Sequence, residues 1–158
     1  MDPNRDEPQA LVVVDAANVI AARPNGWWKD RAGAAERLVH RIVGAARAGA
    51  AELRGGRVVV VLEGRAALAA EPADAAKDGV VVVRATGHGD DAIVDAVQAH
   101  APARAGATDD VLVVTSDREL RRRVEDLGAR VHGAGWLLTV LDRADGAHSP
   151  RSRGAAGP

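Results

Sequence analysis

Four short apolar runs each end in, or lead straight into, a carboxylate: residues 11–14 (LVVV) with Asp15, 58–62 (VVVVL) with Glu63, 80–83 (VVVV) ahead of Asp90 and Asp91, and 111–115 (VLVVT) ahead of Ser116 and Asp117. Apolar runs of this length and Val content, without polar alternation, fit strands buried on both faces, as in parallel sheets covered by helices. Helical patterns lie between them, so the fold class is α/β, built from strand–helix–strand units around a parallel sheet. In an open sheet of this kind ligands bind in the crevice outside the carboxyl ends of the strands. Acids placed there converge, and convergent carboxylates repel unless they are protonated, opposed by bases or bridged by a hard cation. An oxygen-only set favours Mg²⁺ or Mn²⁺ over zinc. Each acid also has a plainer reading, because Asp is a good helix N-cap and turn residue after a strand.

The 158 residues suit a single domain with one core. Apolar residues make up 47% of the chain, but much of that is Ala and there is no Phe or Tyr, so Val, Leu and packed Ala must build the core. A net charge of −1 argues against coating nucleic acid by bulk charge and leaves room for a local basic patch. The absence of cysteine excludes disulfides, thiolate catalysis and Cys-ligated zinc. The first ten residues are polar and acidic, and no apolar stretch approaches a membrane span, so a cytoplasmic protein with no membrane partner is expected. The sequence leaves the oligomeric state open.

Residues 1–10 and 143–158 are rich in Pro, Gly, Ser, Arg and small residues without apolar periodicity, and are expected to be mobile tails around a domain spanning 11–142. The first long helix is expected from Arg31 to Leu53, with Leu38, Ile42, Val43 and Ala46 on one face and Gly55-Gly56 as its stop. Residues 65–77 read as a helix, or two turns, interrupted by Pro72. A helix then starts at Asp90 or Asp91, carries Ile93, Val94 and Val97 inward and stops before Pro102, after which 108–110 turn into the fourth strand. Asp117 opens a helix striped by Leu120, Val124 and Leu127 and capped by Gly128. Residues 129–132 give a fifth strand and 135–141 a terminal helix.

Three constellations could carry chemistry. In Asp15-Ala16-Ala17-Asn18 a carboxylate is followed three residues on by an amide; Asp15 could bind a metal while Asn18 steadies Asp15, a bound water or a phosphate. The alternative is an Asx turn. Gly87-His88-Gly89-Asp90-Asp91 matches a dinucleotide-binding pattern, but it follows the third strand, and its two acids would repel a pyrophosphate at the helix N-terminus. Asp91 and Asp95 share a helix face, so a cation between them is expected. In Thr115-Ser116-Asp117 small hydroxyls precede an acid at a strand-to-helix switch, where Asp117 could ligate a metal, cap the helix, or both.

VVVDAANVI, GHGDDAIVDAV and VVTSDRELRRRVEDLGARV, taken together over residues 11–141, resemble the successive acidic motifs of the bacterial NYN branch of the PIN-like nuclease superfamily. The resemblance implies a Rossmann-like, PIN-like three-layer domain with a central parallel sheet of about five strands. It also implies cleavage of RNA with Mg²⁺ or Mn²⁺, with Asp15, Asp90 or Asp91, and Asp117 as catalytic metal ligands and Asn18 and Ser116, with Thr115 beside them, in support. Asp95 is a further candidate ligand. The chain departs from the family at Ala16-Ala17, where an aromatic or glycine is common, and at Glu63, where an Asp is usual and a solvated strand end is the competing reading.

The loop after the first motif carries Trp27, Trp28 and Lys29, which suit base stacking and phosphate contact with single-stranded RNA. The Trp pair could equally staple the loop to the long helix. Arg118 and Arg122 next to Asp117 are candidate substrate contacts, and His88, beside Asp90, a candidate proton shuttle. The expected function is a divalent-metal-dependent ribonuclease. Its rivals are a metal-dependent phosphohydrolase acting on small nucleotides and a catalytically silent module that binds RNA or a protein partner.

Overall fold

The structure, a computed structural model, describes residues 11–53, 56–100 and 111–148. The expected N-terminal tail, Gly55, Pro102, the turn at 108–110 and the chain beyond 148 lie outside the described residues. The strands β1 (Leu11–Asp15), β2 (Arg57–Leu62), β3 (Val80–Arg84), β4 (Val111–Val114) and β5 (Arg130–His132) form one sheet in the order β3-β2-β1-β4-β5. Every neighbouring pair is parallel, with Val13 beside Val59 on one side and Val113 on the other. The chain builds outward from β1 to β3 and then returns to the other side of β1, so the order reverses between β1 and β4.

Side-chain alternation sorts each strand between two cores. Val12, Val14, Val58 and Val60 pack under α1 (Ala16–Ala21), α2 (Arg31–Arg47) and α5 (Ala134–His148). Val13, Val59, Val61, Val111 and Val113 face α3 (Gly89–His100) and α4 (Arg118–Glu125). Burying each such side chain contributes roughly 1.5–3 kcal/mol, and burial on both faces explains why the strands read as unbroken Val runs. The β2–β3 crossover takes the two-turn form, with 3₁₀ turns at Gly64–Leu68 and Ala75–Asp78 on either side of Pro72, whose missing N–H and fixed φ disfavour a continuous helix.

Two helix boundaries differ from expectation. α2 begins at Arg31, where the Asp30 carboxylate accepts a hydrogen bond from the Gly33 amide at 2.9 Å. It ends at Arg47 rather than Leu53, because Gly49 takes φ +76 and the Gly49 and Ala50 amides donate back to the Ala46 and Ala45 carbonyls, both at 3.0 Å. That pairing is a Schellman stop. α5 runs past the expected boundary at 142 to His148, so 143–148 is helical where a tail was expected. Ala144 packs against the core, Asp142 is paired with Arg23 and Arg41 at 2.6 and 2.7 Å, and Arg143 is paired with Glu52 at 2.6 Å. Each exposed pair is worth little alone, but all join residues far apart in sequence and give the last turns a docking surface. Among the described residues no helix is long and apolar enough to cross a membrane.

Candidate functional site

The reversal of strand order between β1 and β4 leaves a crevice at their carboxyl ends, the place where open α/β sheets take ligands. Asp15 closes β1 there and caps α1, a short helix the sequence reading took only as a turn. Its carboxylate is 8% exposed and accepts hydrogen bonds from the Thr115 hydroxyl at 2.9 Å and the Asn18 amide at 3.3 Å. Thr115 Oγ1 in turn accepts from the Asp117 amide at 3.1 Å, while Asn18 Oδ1 accepts from the Ser116 amide at 2.7 Å. Asn18 therefore clamps the turn after β4 to the turn after β1. Ser116 looks the other way, its Oγ accepting from the Ala134 amide at 3.0 Å at the start of α5.

Asp117 caps α4, accepting from the Leu120 amide at 3.0 Å, so the capping role expected for it is present. Asp90 lies in the first turn of α3. Burial pushes the Asp15 carboxyl above the usual carboxylate range, opposed by its bonds from Thr115 and Asn18 and reinforced by the charges of Asp90 and Glu63. Burial also raises Asp90, with the negative charges of Asp117 and Glu63 adding to it and Arg123 opposing. The charges of Asp90 and Glu63 thus reach Asp15, and those of Asp117 and Glu63 reach Asp90.

Asp91 points elsewhere. It is exposed and paired with Arg123 of α4 at 2.9 Å, so the cation expected between Asp91 and Asp95 is met at Asp91 by a guanidinium. Asp95 is exposed one turn further along α3. Glu63, which the sequence left open as a solvated strand end, accepts a hydrogen bond from the Gly89 amide at 2.5 Å and so ties the end of β2 to the start of α3. A Cβ on Gly89 would lie 2.9 Å from Glu63 Oε2. Gly89→Ala is therefore expected to displace the Glu63 carboxylate, costing about 1 kcal/mol through the lost hydrogen bond. It should also lower any crevice-dependent activity more than Gly87→Ala, whose Cβ meets nothing within 4 Å. Denaturant melts and a paired assay of the two variants check this.

Among the described residues no three acidic or histidine side chains form a group that could hold an ion by protein ligands alone. The donor chemistry nonetheless suits a hard cation: oxygen ligands only, two of them made costly to ionise by burial and by one another. Mg²⁺ fits such a set because it keeps several waters and takes one or two carboxylates together with substrate phosphate oxygens.

At Glu63 opens a cleft of about 460 Å³ whose walls also include Ile20, Trp27, Arg31, Gly87 and His88. Trp27 is half-buried, with the Arg31 guanidinium 5.5 Å from its ring centroid. Trp28 is 53% exposed and, with Lys29, lines a neighbouring cleft. The structure brings Trp27 and His88 to the first cleft, whereas Arg118 and Arg122 stand exposed on α4.

No protein-family model matches the chain, and no curated protein matches it. Among solved structures it is similar to two crystal structures of Rae1 (YacP) from Bacillus subtilis. One, of a point mutant, superposes with a TM-score of 0.63 at 21% identity, covering 88% of this chain and 79% of that one. The other gives a TM-score of 0.64 at 23% identity, covering 87% and 76%. The chain shares with these structures its α/β fold, a five-stranded parallel sheet flanked by helices. At this identity the likeness is one of fold, and it agrees with the architecture implied by the sequence motifs.

Glu63, for which the sequence leaves a solvated strand end as the competing reading, lines this cleft together with Ile20 and Arg31. The signal for Glu63 was its place at the end of an apolar run. Nothing local marked Ile20 or Arg31, because the cleft joins α1, the start of α2, the turn after β2 and the loop after β3.

Proposed function

We propose that this chain is a divalent-metal-dependent ribonuclease that hydrolyses phosphodiester bonds in single-stranded RNA in the cytoplasm. The observation that carries the reading is the buried Asp15 at the strand switch point, bonded by Thr115 and joined through Thr115 and Asn18 to the turn that carries Asp117. One or two of Asp15, Asp90 and Asp117, with water and substrate phosphate oxygens completing the shell, would hold Mg²⁺ or Mn²⁺. When bound, such an ion lowers the pKa of a coordinated water and neutralises charge on the phosphate oxygens.

The chain's own residues orient the site. Thr115 fixes one carboxylate oxygen of Asp15, and through its bond from the Asp117 amide it couples the ends of β1 and β4. Asn18 holds that coupling by binding the Ser116 amide, and Gly89 steadies Glu63. Asp91 is engaged by Arg123, which favours Asp90 as the ligand from α3. No side-chain nucleophile is needed.

The test is incubation of the full chain with single-stranded RNA, and separately with nucleoside triphosphates, in Mn²⁺, Mg²⁺ or EDTA. RNA cleavage that disappears in EDTA and in Asp117→Asn is expected, and cleavage undiminished in either would sink the reading. Phosphate release from nucleotides with RNA left intact would establish instead a small-nucleotide phosphohydrolase, a reading favoured by the 460 Å³ cleft beside Glu63. Absence of both activities, with no ion binding at millimolar concentration by titration calorimetry, would leave a binding module whose acids serve as caps.

A further inference from the structure

We propose that the chain holds two consecutive unpaired bases in separate slots beside the carboxylates: an inner slot against Trp27 and Ile20, and an outer slot between Trp28 and Leu68. The inference rests on the RNA reading above and specifies how that substrate is gripped.

The inner slot is the 460 Å³ cleft that reaches Glu63, and the outer is a cleft of about 610 Å³ that contains Trp28 and Leu68. The two share Arg31 and Gly64 in their walls, so they are neighbours, the inner one reaching Glu63. Trp28 and Leu68, 53% and 80% exposed, are the large apolar side chains left in solvent among the described residues, and both lie in the outer cleft. Leaving both exposed side by side forgoes burial worth about 1.5–3 kcal/mol each, which marks the patch as a contact surface.

The partner's chemistry follows from charge. Lys29, Arg31 and Arg65 line the outer cleft beside a single acid, Asp30, and none of the three makes an ion pair among the described residues. Three cations against one carboxylate, beside two apolar platforms, suit a flexible polyanion with flat apolar groups, which is what an unpaired strand presents. The Trp27 and Trp28 rings stand 5.9 Å apart and at 87° to one another, so one base cannot stack on both. Each ring faces its own slot, and Arg31 at the junction is placed for the phosphate between the two bases.

The test measures binding in EDTA, where cleavage does not intrude, by fluorescence anisotropy of a labelled mixed-sequence RNA octamer and of the same octamer made abasic throughout. Wild type should bind the native octamer clearly and the abasic one more weakly. Trp28→Ala and Leu68→Ser remove exposed side chains and leave the cores intact; each should weaken native-octamer binding on the order of tenfold and leave abasic binding unchanged. Arg65→Gln should weaken both octamers and reduce the salt dependence by about one phosphate contact. Equal affinity for the two octamers, no binding by wild type, or Trp28→Ala and Leu68→Ser indistinguishable from wild type would each overturn the proposal. The two readings fail separately: RNA cleavage with unaffected Trp28 and Leu68 variants removes the slots alone, and base-dependent binding without metal-dependent cleavage removes the nuclease alone.

Discussion

Asp15→Asn is expected to abolish RNA cleavage, by on the order of 10²–10³-fold or more, while leaving the metal-free protein as stable as wild type or more so at neutral pH. The two effects have one cause. Asp15 is buried, and desolvation together with Asp90 and Glu63 makes its charged form costly in the folded state. The amide keeps an oxygen for the Asn18 bond and presents a polar group to Thr115, yet carries no charge. The sign follows from linkage: with the folded pKa raised above the ordinary 3.8, the native state holds the proton more tightly than the unfolded chain, so stability falls as pH rises through that window. The stability gained by the variant should thus be absent well below pH 3.8 and reach its full size above the raised pKa. Asp90 titrates in the same direction and contributes to the same decline.

Thermal melts of wild type and variant in EDTA across acid to neutral pH check this, with about 2–4 °C of midpoint per kcal/mol for a chain of this size. Adding Mn²⁺ should raise the wild-type midpoint through binding to the native state alone and leave that of the variant unmoved. A variant that melts lower at neutral pH and still cleaves RNA would show that Asp15 serves as a cap and nothing more.

Leu120→Ala is expected to lower the thermal midpoint by roughly 5–15 °C, because deleting a buried leucine side chain costs about 2–5 kcal/mol in transfer and cavity terms. Leu120 is fully buried in the smaller of the two cores, where it joins α4 to the underside of β1 and β4. Its amide is the one that Asp117 accepts, so loosening α4 also loosens the end of the crevice. Leu120→Met conserves most of the volume and should cost under about 1.5 kcal/mol. Equal destabilisation by the two variants would locate the sensitivity in side-chain shape rather than in the cavity.

How much of the candidate site was legible follows from the range of the interactions involved. Asp15, Asp117 and the α3 start were legible because strand-end acids announce themselves by following apolar runs. Asp90 and Asp91 could not be separated, since adjacent residues on a helix have no local difference. Arg123, thirty-two positions away, makes them differ in the folded chain by pairing with Asp91. Ser116 is a candidate for water or phosphate contact from sequence, and its Oγ also accepts from the Ala134 amide, eighteen positions on. The base-binding role suggested for Trp27 and Trp28 also had a local rival in packing; Trp27 is half-buried and Trp28 exposed, a difference that two adjacent tryptophans do not reveal in the sequence.

The boundaries of α2 and α5 show the same division in the fold. Gly49 stopped α2 through a Schellman turn that the apolar stripe beyond it concealed, and α5 gained its last turns from ion pairs with Arg23, Arg41 and Glu52. By itself the sequence determined the α/β class, the strands, which helices face inward and which acids stand at strand ends, because burial periodicity and strand-end position are local properties of the chain. Only the tertiary structure decided that β1 and β4 are neighbours, that Asp15 and Thr115 share a hydrogen bond across a hundred residues, that Glu63 joins the acids, and that a cleft opens beside them. Those features depend on which surfaces pack together once the order of the strands reverses, and no single segment carries that information.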